Sequence, residues 1–130
     1  MEQITVRTSQ RTEFVDITSA IRDHVKKSGI KSGQITIFVP HTTAAVTINE
    51  NADPSVQRDI LYEINKIIPF EDGYHHAEGN AAAHIKASIF GSSETVLIHN
   101  GEPALGTWQG LFFCEFDGPR QRKVWINIIG

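Results

Sequence analysis

Two stretches near the C-terminus limit the fold more than anything else in the chain. Gly110-Leu111-Phe112-Phe113-Cys114-Glu115-Phe116 and Val124-Trp125-Ile126-Asn127-Ile128-Ile129 are rich in β-formers and apolar on both faces. A strand of that kind must be covered twice, by helices on one side and by another sheet or a neighbouring subunit on the other. The turn residues between them, Asp117-Gly118-Pro119-Arg120, predict a hairpin.

Upstream, strands and helices mix. Ile4–Thr8 alternates apolar and polar residues, and Glu13–Asp16 reads as a short returning strand after a turn at residues 10–12. Thr18 or Ser19 then predicts the cap of a helix with Ile17, Ile21 and Val25 on one face, ended by Gly29. Gln34–Val39 is a strand whose Ile35, Ile37 and Val39 share a face, while Phe38 implies cover on the other. Ala45–Asn49 follows with Val46 and Ile48 inward. Asp53-Pro54 opens the best-defined helix: aspartate accepts from the first-turn N–H groups, and proline at the first helical position forfeits no hydrogen bond. Its apolar positions, Val56, Ile60, Leu61, Ile64, Ile67 and Ile68, recur at helical spacing as far as Pro69. Glu94–His99 is a further strand, ending in the turn dipeptide Asn100-Gly101. With no long linker, repeat or low-complexity segment, one domain spanning residues 1–130 is expected.

Between the second helix and that strand lies Tyr74-His75-His76-Ala77-Glu78-Gly79-Asn80-Ala81-Ala82-Ala83-His84, which holds three of the six histidines. Asn80 predicts a helix N-cap, and Gly91 a left-handed stop. His84 then lies about one turn into the helix, and because helical side chains tilt toward the N-terminus it leans back over His76 and Glu78.

The totals exclude several classes. A net charge of −3 without a basic stripe argues against a general nucleic-acid binder. The N-terminus has no apolar signal core and no apolar run approaches the length of a membrane span, so a soluble cytoplasmic protein is expected. Cys114 is the only cysteine, which precludes an internal disulfide, and it is expected to be packed and inert. There is no Gly-x-Ser-x-Gly elbow, Walker loop or dinucleotide fingerprint.

Five blocks carry a resemblance: His41-Thr42-Thr43-Ala44-Ala45, Glu50-Asn51-Ala52-Asp53-Pro54, His76-Ala77-Glu78-Gly79-Asn80 with Ala83-His84, Leu105-Gly106-Thr107-Trp108-Gln109, and Asp117-Gly118-Pro119-Arg120. Together they resemble the secondary thiamine-phosphate synthase-like family over nearly the whole chain. The resemblance implies an α+β fold, a compact β-sandwich of mostly antiparallel strands with three helices, assembling as a homotrimer. It also implies a histidine-lined cleft able to hold a metal ion, and a weak synthase activity that joins a pyrimidine diphosphate to a thiazole phosphate with release of diphosphate.

On that basis His41, His76 and His84 are expected as metal ligands and, with Glu78, as the catalytic set. Imidazole donors on separate segments suit zinc, whereas magnesium enters only with a diphosphate substrate. Glu78 has three open roles: orienting an imidazole, acting as general base, or placing charge at a helix N-terminus. Glu50, Asn51, Asp53, Trp108 and Arg120 are candidate ligand contacts for a phosphate-bearing small molecule. Three have a plainer alternative, Asp53 as a cap, Arg120 as a solvated turn arginine and Trp108 as core or subunit interface, whereas Glu50 and Asn51 have no obvious structural duty. His24, His75 and His99 are assigned no role. A metal-dependent hydrolase and a non-catalytic metal- or metabolite-binding trimer stand as alternatives to the synthase.

Overall fold

The computed structural model describes residues 1–130. Its elements run β1 (Glu2–Arg7), β2 (Glu13–Asp16), α1 (Thr18–Ser28), β3 (Ser32–Phe38), β4 (Ala44–Glu50), α2 (Pro54–Ile67), α3 (Ala81–Phe90), β5 (Ser93–His99), β6 (Glu102–Pro103), β7 (Gln109–Glu115) and β8 (Gln121–Ile129). Every strand pairing is antiparallel. One sheet has the order β1-β8-β3-β5-β6 and the other the order β2-β7-β4. The architecture is therefore α+β, a β-sandwich with three helices.

Period-two alternation builds the interior. Val6, Ile35, Ile37, Val96, Ile98, Val124 and Ile126 from the larger sheet meet Ala44, Val46, Leu111 and Phe113 from the smaller one. Burial of each Ile, Leu or Phe stabilises by about 1.5–3 kcal/mol. Helix α1 adds Ile17, Ile21 and Val25 to this same core. The other face of the small sheet carries Phe14, Ala45, Cys114 and Phe116, covered by Ala83, Ala87 and Phe90 of α3 and by Leu61 of α2. Strand β7 is thus enclosed twice within one chain, by a sheet and by helices.

The outer face of the large sheet has no such cover. There Phe38 stacks on Trp125 with ring centroids 5.9 Å apart, and Leu97 and Ile129, both paired with Gln34, remain largely exposed. Phe38 therefore lacks the second layer expected for its strand.

Several local expectations are corrected. Residues 117–120 form no hairpin: both edges of β7 are already taken by β2 and β4, so the chain crosses to the other sheet, where β8 runs between β1 and β3. Nor does β2 return along β1: it is an edge strand of the smaller sheet, paired with β7. Neither Thr18 nor Ser19 caps α1. Ile17 occupies the cap position, and Asp16 Oδ1 accepts from Thr18 N–H at 2.9 Å. Asn80 is at the N-cap of α3 but makes no capping bond, and Gly91 ends that helix with φ 95° and ψ 156°, outside the left-handed helical region. Asp53 caps α2 as expected, accepting from Ser55 N–H at 2.9 Å, with Pro54 first in the helix. Asn100 (φ 53°) and Gly101 (φ 79°) make the two-residue turn between β5 and β6, where positive φ at both positions matches the strand twist.

Candidate functional site

The cleft lies where the sandwich interior comes to an end. On β8, Arg122 occupies the inward row of Val124 and Ile126. On β7, Glu115 occupies that of Leu111 and Phe113. These two side chains, 2 % and 0 % exposed, bridge the sheets. Arg122 Nε donates to Glu115 Oε1 at 2.9 Å, and Nη2 donates to Glu115 Oε2 and to Thr43 Oγ1. Thr8 Oγ1–H and Asp117 N–H donate to the same carboxylate. Burial opposes ionisation of Glu115, but this set of donors outweighs it and holds the carboxyl below its ordinary value. Arg122 Nη1 has no protein partner and is not enclosed, so its two N–H groups belong to the cleft.

Above this floor is a cavity of about 430 Å³ whose lining, Pro40 aside, is made of polar and charged residues. It is bounded by His41, Thr42 and Thr43 leading into β4, by Glu78, Asn80 and His84 at the start of α3, and by Asp117 and Arg120. Arg120 is half-exposed. Its Nε donates to Asp117 O and its Nη2 to Asp117 Oδ2, so the guanidinium is steered toward the cleft. Asn80 Nδ2 donates to the same Asp117 Oδ2 at 2.9 Å, which fixes its amide orientation and leaves the enclosed Oδ1 unpartnered.

The histidines divide into two kinds. His41 Nε2 accepts from Lys123 N–H at 3.0 Å, so in the neutral ring Nδ1 carries the proton. Burial, then the Arg122 charge, lowers its pKa below the usual histidine value, which keeps the ring neutral and a donor at Nδ1. Its one lone pair is already used. His76 and His84 lie edge-to-face with ring centroids 5.2 Å apart, while His75 beside them is exposed and outside these cavities. Two imidazoles on one tetrahedral ion, with bonds of about 2.0–2.1 Å, place their centroids roughly 5 Å apart. That spacing is compatible with two ligands of one ion and is equally that of an edge-to-face ring contact. No group of three or more His, Cys, Asp or Glu side chains is arranged to hold a metal.

The remaining predicted residues lie elsewhere. Glu50, Asn51, Asp53 and Trp108 gather at the opposite end of β4, a strand's length of roughly 20 Å from His41. There Asn51 N–H donates to Trp108 O, and Asn51 Nδ2 donates to Asp16 Oδ2 at 3.3 Å. Trp108 is 63 % exposed, so it is not core. Within one chain these residues do not reach the cleft. Sequence reasoning missed Arg122, Glu115 and Thr43. The first two were detectable as charges in otherwise apolar inward rows.

The loop before α3 has its own fastening. Lys86, fully enclosed, donates from Nζ to Asn65 Oδ1 at 2.6 Å and lies 4.4 Å from the centroid of Phe70, while Arg11 Cζ lies 3.7 Å from the same centroid. Burial, with Arg11 close by, lowers Lys86 to about 8. On the enclosed Cys114, burial pushes the thiol well above its usual range.

Fold and site together define a small α+β sandwich protein with a predominantly polar, two-arginine cleft beside a histidine pair. The family described as UPF0047 protein YjbQ-like matches residues 2–130, and the chain belongs to it. It is 52 % identical over 125 residues to the UPF0047 protein MJ1081 of Methanocaldococcus jannaschii, covering 96 % of this chain and 91 % of that one. It is 46 % identical over 131 residues to YugU of Bacillus subtilis, covering 100 % and 99 %. A crystal structure of an uncharacterised family member from Clostridium acetobutylicum superposes with a TM-score of 0.97 at 51 % identity, covering 99 % of this chain and 100 % of that one. A relative of unknown function from Sulfolobus solfataricus gives 0.95 at 37 % identity, covering 99 % and 95 %. No helix is long and apolar enough to cross a membrane.

Proposed function

We propose that the cleft binds a phosphate-bearing small molecule and that its chemistry takes place at His76 and His84. The observation that carries this reading is the Arg122 guanidinium, locked by Glu115 and Thr43 with Nη1 left to a cavity lined mainly by polar residues. Arg120 adds a second guanidinium and His41 a neutral N–H. Fixed donors of this kind recognise phosphoryl oxygens and neutralise charge on a departing phosphate. His76 and His84 would provide two nitrogen ligands for a divalent ion, zinc by the softness of imidazole, with the Glu78 carboxylate lining the same cleft. When bound, such an ion would polarise a phosphoryl oxygen or a water molecule.

The specific form of this reading is a transferase of the thiamine-phosphate synthase type. Aromatic heterocycles need an apolar wall that this cleft lacks. A homotrimer offers a source, since Trp108 is exposed on every copy and the uncovered sheet face of Phe38, Trp125, Leu97 and Ile129 is suited to assembly. The second reading is a metabolite-binding trimer without turnover. It is favoured by the lack of a third ligand beside the histidine pair.

Purified protein incubated with the pyrimidine diphosphate and the thiazole phosphate separates the two. Diphosphate release that disappears in Arg120→Met and His84→Ala, with assembly intact, supports the enzyme. Saturable substrate binding without product selects the second reading, and no binding at all ends both.

A further inference from the structure

A second cavity lies behind the histidine pair. It measures about 320 Å³ and is lined by Arg11, Phe70, Tyr74, His76, Gly79 and Ala81. The Arg120–Arg122 cleft opens on His84, this cavity on His76, and the two rings touch. The pair is thus a partition between two spaces.

The charge balance at the second cavity is unusual. Arg11 and Lys86 converge on the ring of Phe70, yet neither has a carboxylate within ion-pair distance. The ion pairs of the chain are His24–Glu2, Arg120–Asp117 and Arg122–Glu115. The partner of Lys86 is the uncharged amide of Asn65, although its side chain is wholly enclosed. A buried cation beside a second cation is unfavourable; the lowered pKa of Lys86 reflects this, and an anion brought to the cavity would relieve it. Glu71 and Asp72 line the same cavity and are exposed, and they pair with neither cation. At the other side Gly79 (φ 80°) turns the chain into α3, where Ala81 offers a first-turn N–H that the helix itself leaves free.

We propose that this cavity is a second oxyanion subsite, taking the phosphate group of a small molecule between Arg11 and the first turn of α3. This rests on the reading of the Arg120–Arg122 cleft as a phosphate site to the extent that it makes the histidine pair the meeting point of two anionic ligands. Lys86 supplies positive potential from beneath Phe70 without touching the ligand. Tyr74, whose hydroxyl donates to Pro69 O at 2.6 Å, holds the loop that forms the far wall.

The test is a titration of inorganic phosphate into the isotope-labelled full chain, followed by amide NMR against chloride at equal ionic strength. Gly79, Ala81 and Gly73 report the new subsite; Thr42, Thr43 and Lys123 report the cleft. Both sets are expected to shift. Arg11→Met should abolish the first response and spare the second, Arg11→Lys should restore part of it, and Arg120→Met should do the reverse. Arg11 is exposed, so these variants keep the fold. Shifts at Gly79 and Ala81 that are absent, or that persist unchanged in Arg11→Met, overturn the subsite. If only the cleft set moves, the subsite fails and the cleft reading stands; if only the first set moves, the subsite stands without it.

Discussion

Glu115 is the residue on which the cleft floor depends. Its depressed pKa makes it a source of acid sensitivity: the stabilisation is fully present above the ordinary value of 4.5 and is lost as pH falls through the lower folded value. Glu115→Gln should flatten the pH dependence of urea unfolding in that window. At neutral pH it leaves the enclosed Arg122 charge unpaired and should cost about 3–5 kcal/mol. His84→Ala makes the opposite kind of change. Alanine is the better helix former and His84 is not the cap of α3, so thermal stability should be retained while zinc affinity, measured by calorimetry, collapses. Equal affinity in wild type and variant would remove His84 from any metal site. For His41, NMR titration of the ring nitrogens should show a neutral Nδ1–H tautomer persisting below pH 6.5.

At the scale of elements, capping separates what was legible in the chain from what was not. Asp53-Pro54 was readable because both halves of the signal are local. The cap of α1 was misplaced: Ile17 holds that position, Asp16 reaches forward from the end of β2 to accept from Thr18 N–H, and Thr18 Oγ1 is drawn away to accept from Leu111 N–H at 2.9 Å. Asp16→Ala should therefore destabilise by about 1 kcal/mol in a thermal melt, the usual net weight of a lost hydrogen bond. Asn80→Ala should leave the helix content of α3 unchanged and instead free Asp117 and Arg120. The strands themselves were visible from alternation, and so was the inward face of each. Their partners were not: residues 117–120 carry hairpin chemistry, but strand pairing is decided by which edges remain open, and that is a property of the assembled sheets. The candidate site was legible in the same uneven way. His76 and His84 were found through helical geometry and Arg120 through its motif. Glu50, Asn51 and Trp108 were grouped with them only because no sequence pattern measures distance across a fold.

At the scale of the molecule, the strands first invoked for assembly contribute unequally. Strand β7 needs no partner subunit, whereas β8 and its neighbours present Phe38, Leu97 and Ile129 to solvent beside the half-buried Trp125. If that face is the subunit boundary, sedimentation equilibrium at micromolar concentration should give three times the 14.5 kDa chain mass. A monomer would leave the uncovered face, and the distant Trp108, without the role proposed for them.

Cys114 offers a practical handle of a different kind. As the only thiol, with no exposed surface and a raised pKa, it is shielded from electrophiles as long as the small sheet stays seated under α3. A disulfide reagent added in excess to the native protein should therefore react at the rate at which that layer lifts away. The lone cysteine becomes a built-in clock for opening of the helical layer that carries His84, readable in unmodified protein by following the released chromophore, and slowed by any ligand that holds the layer down.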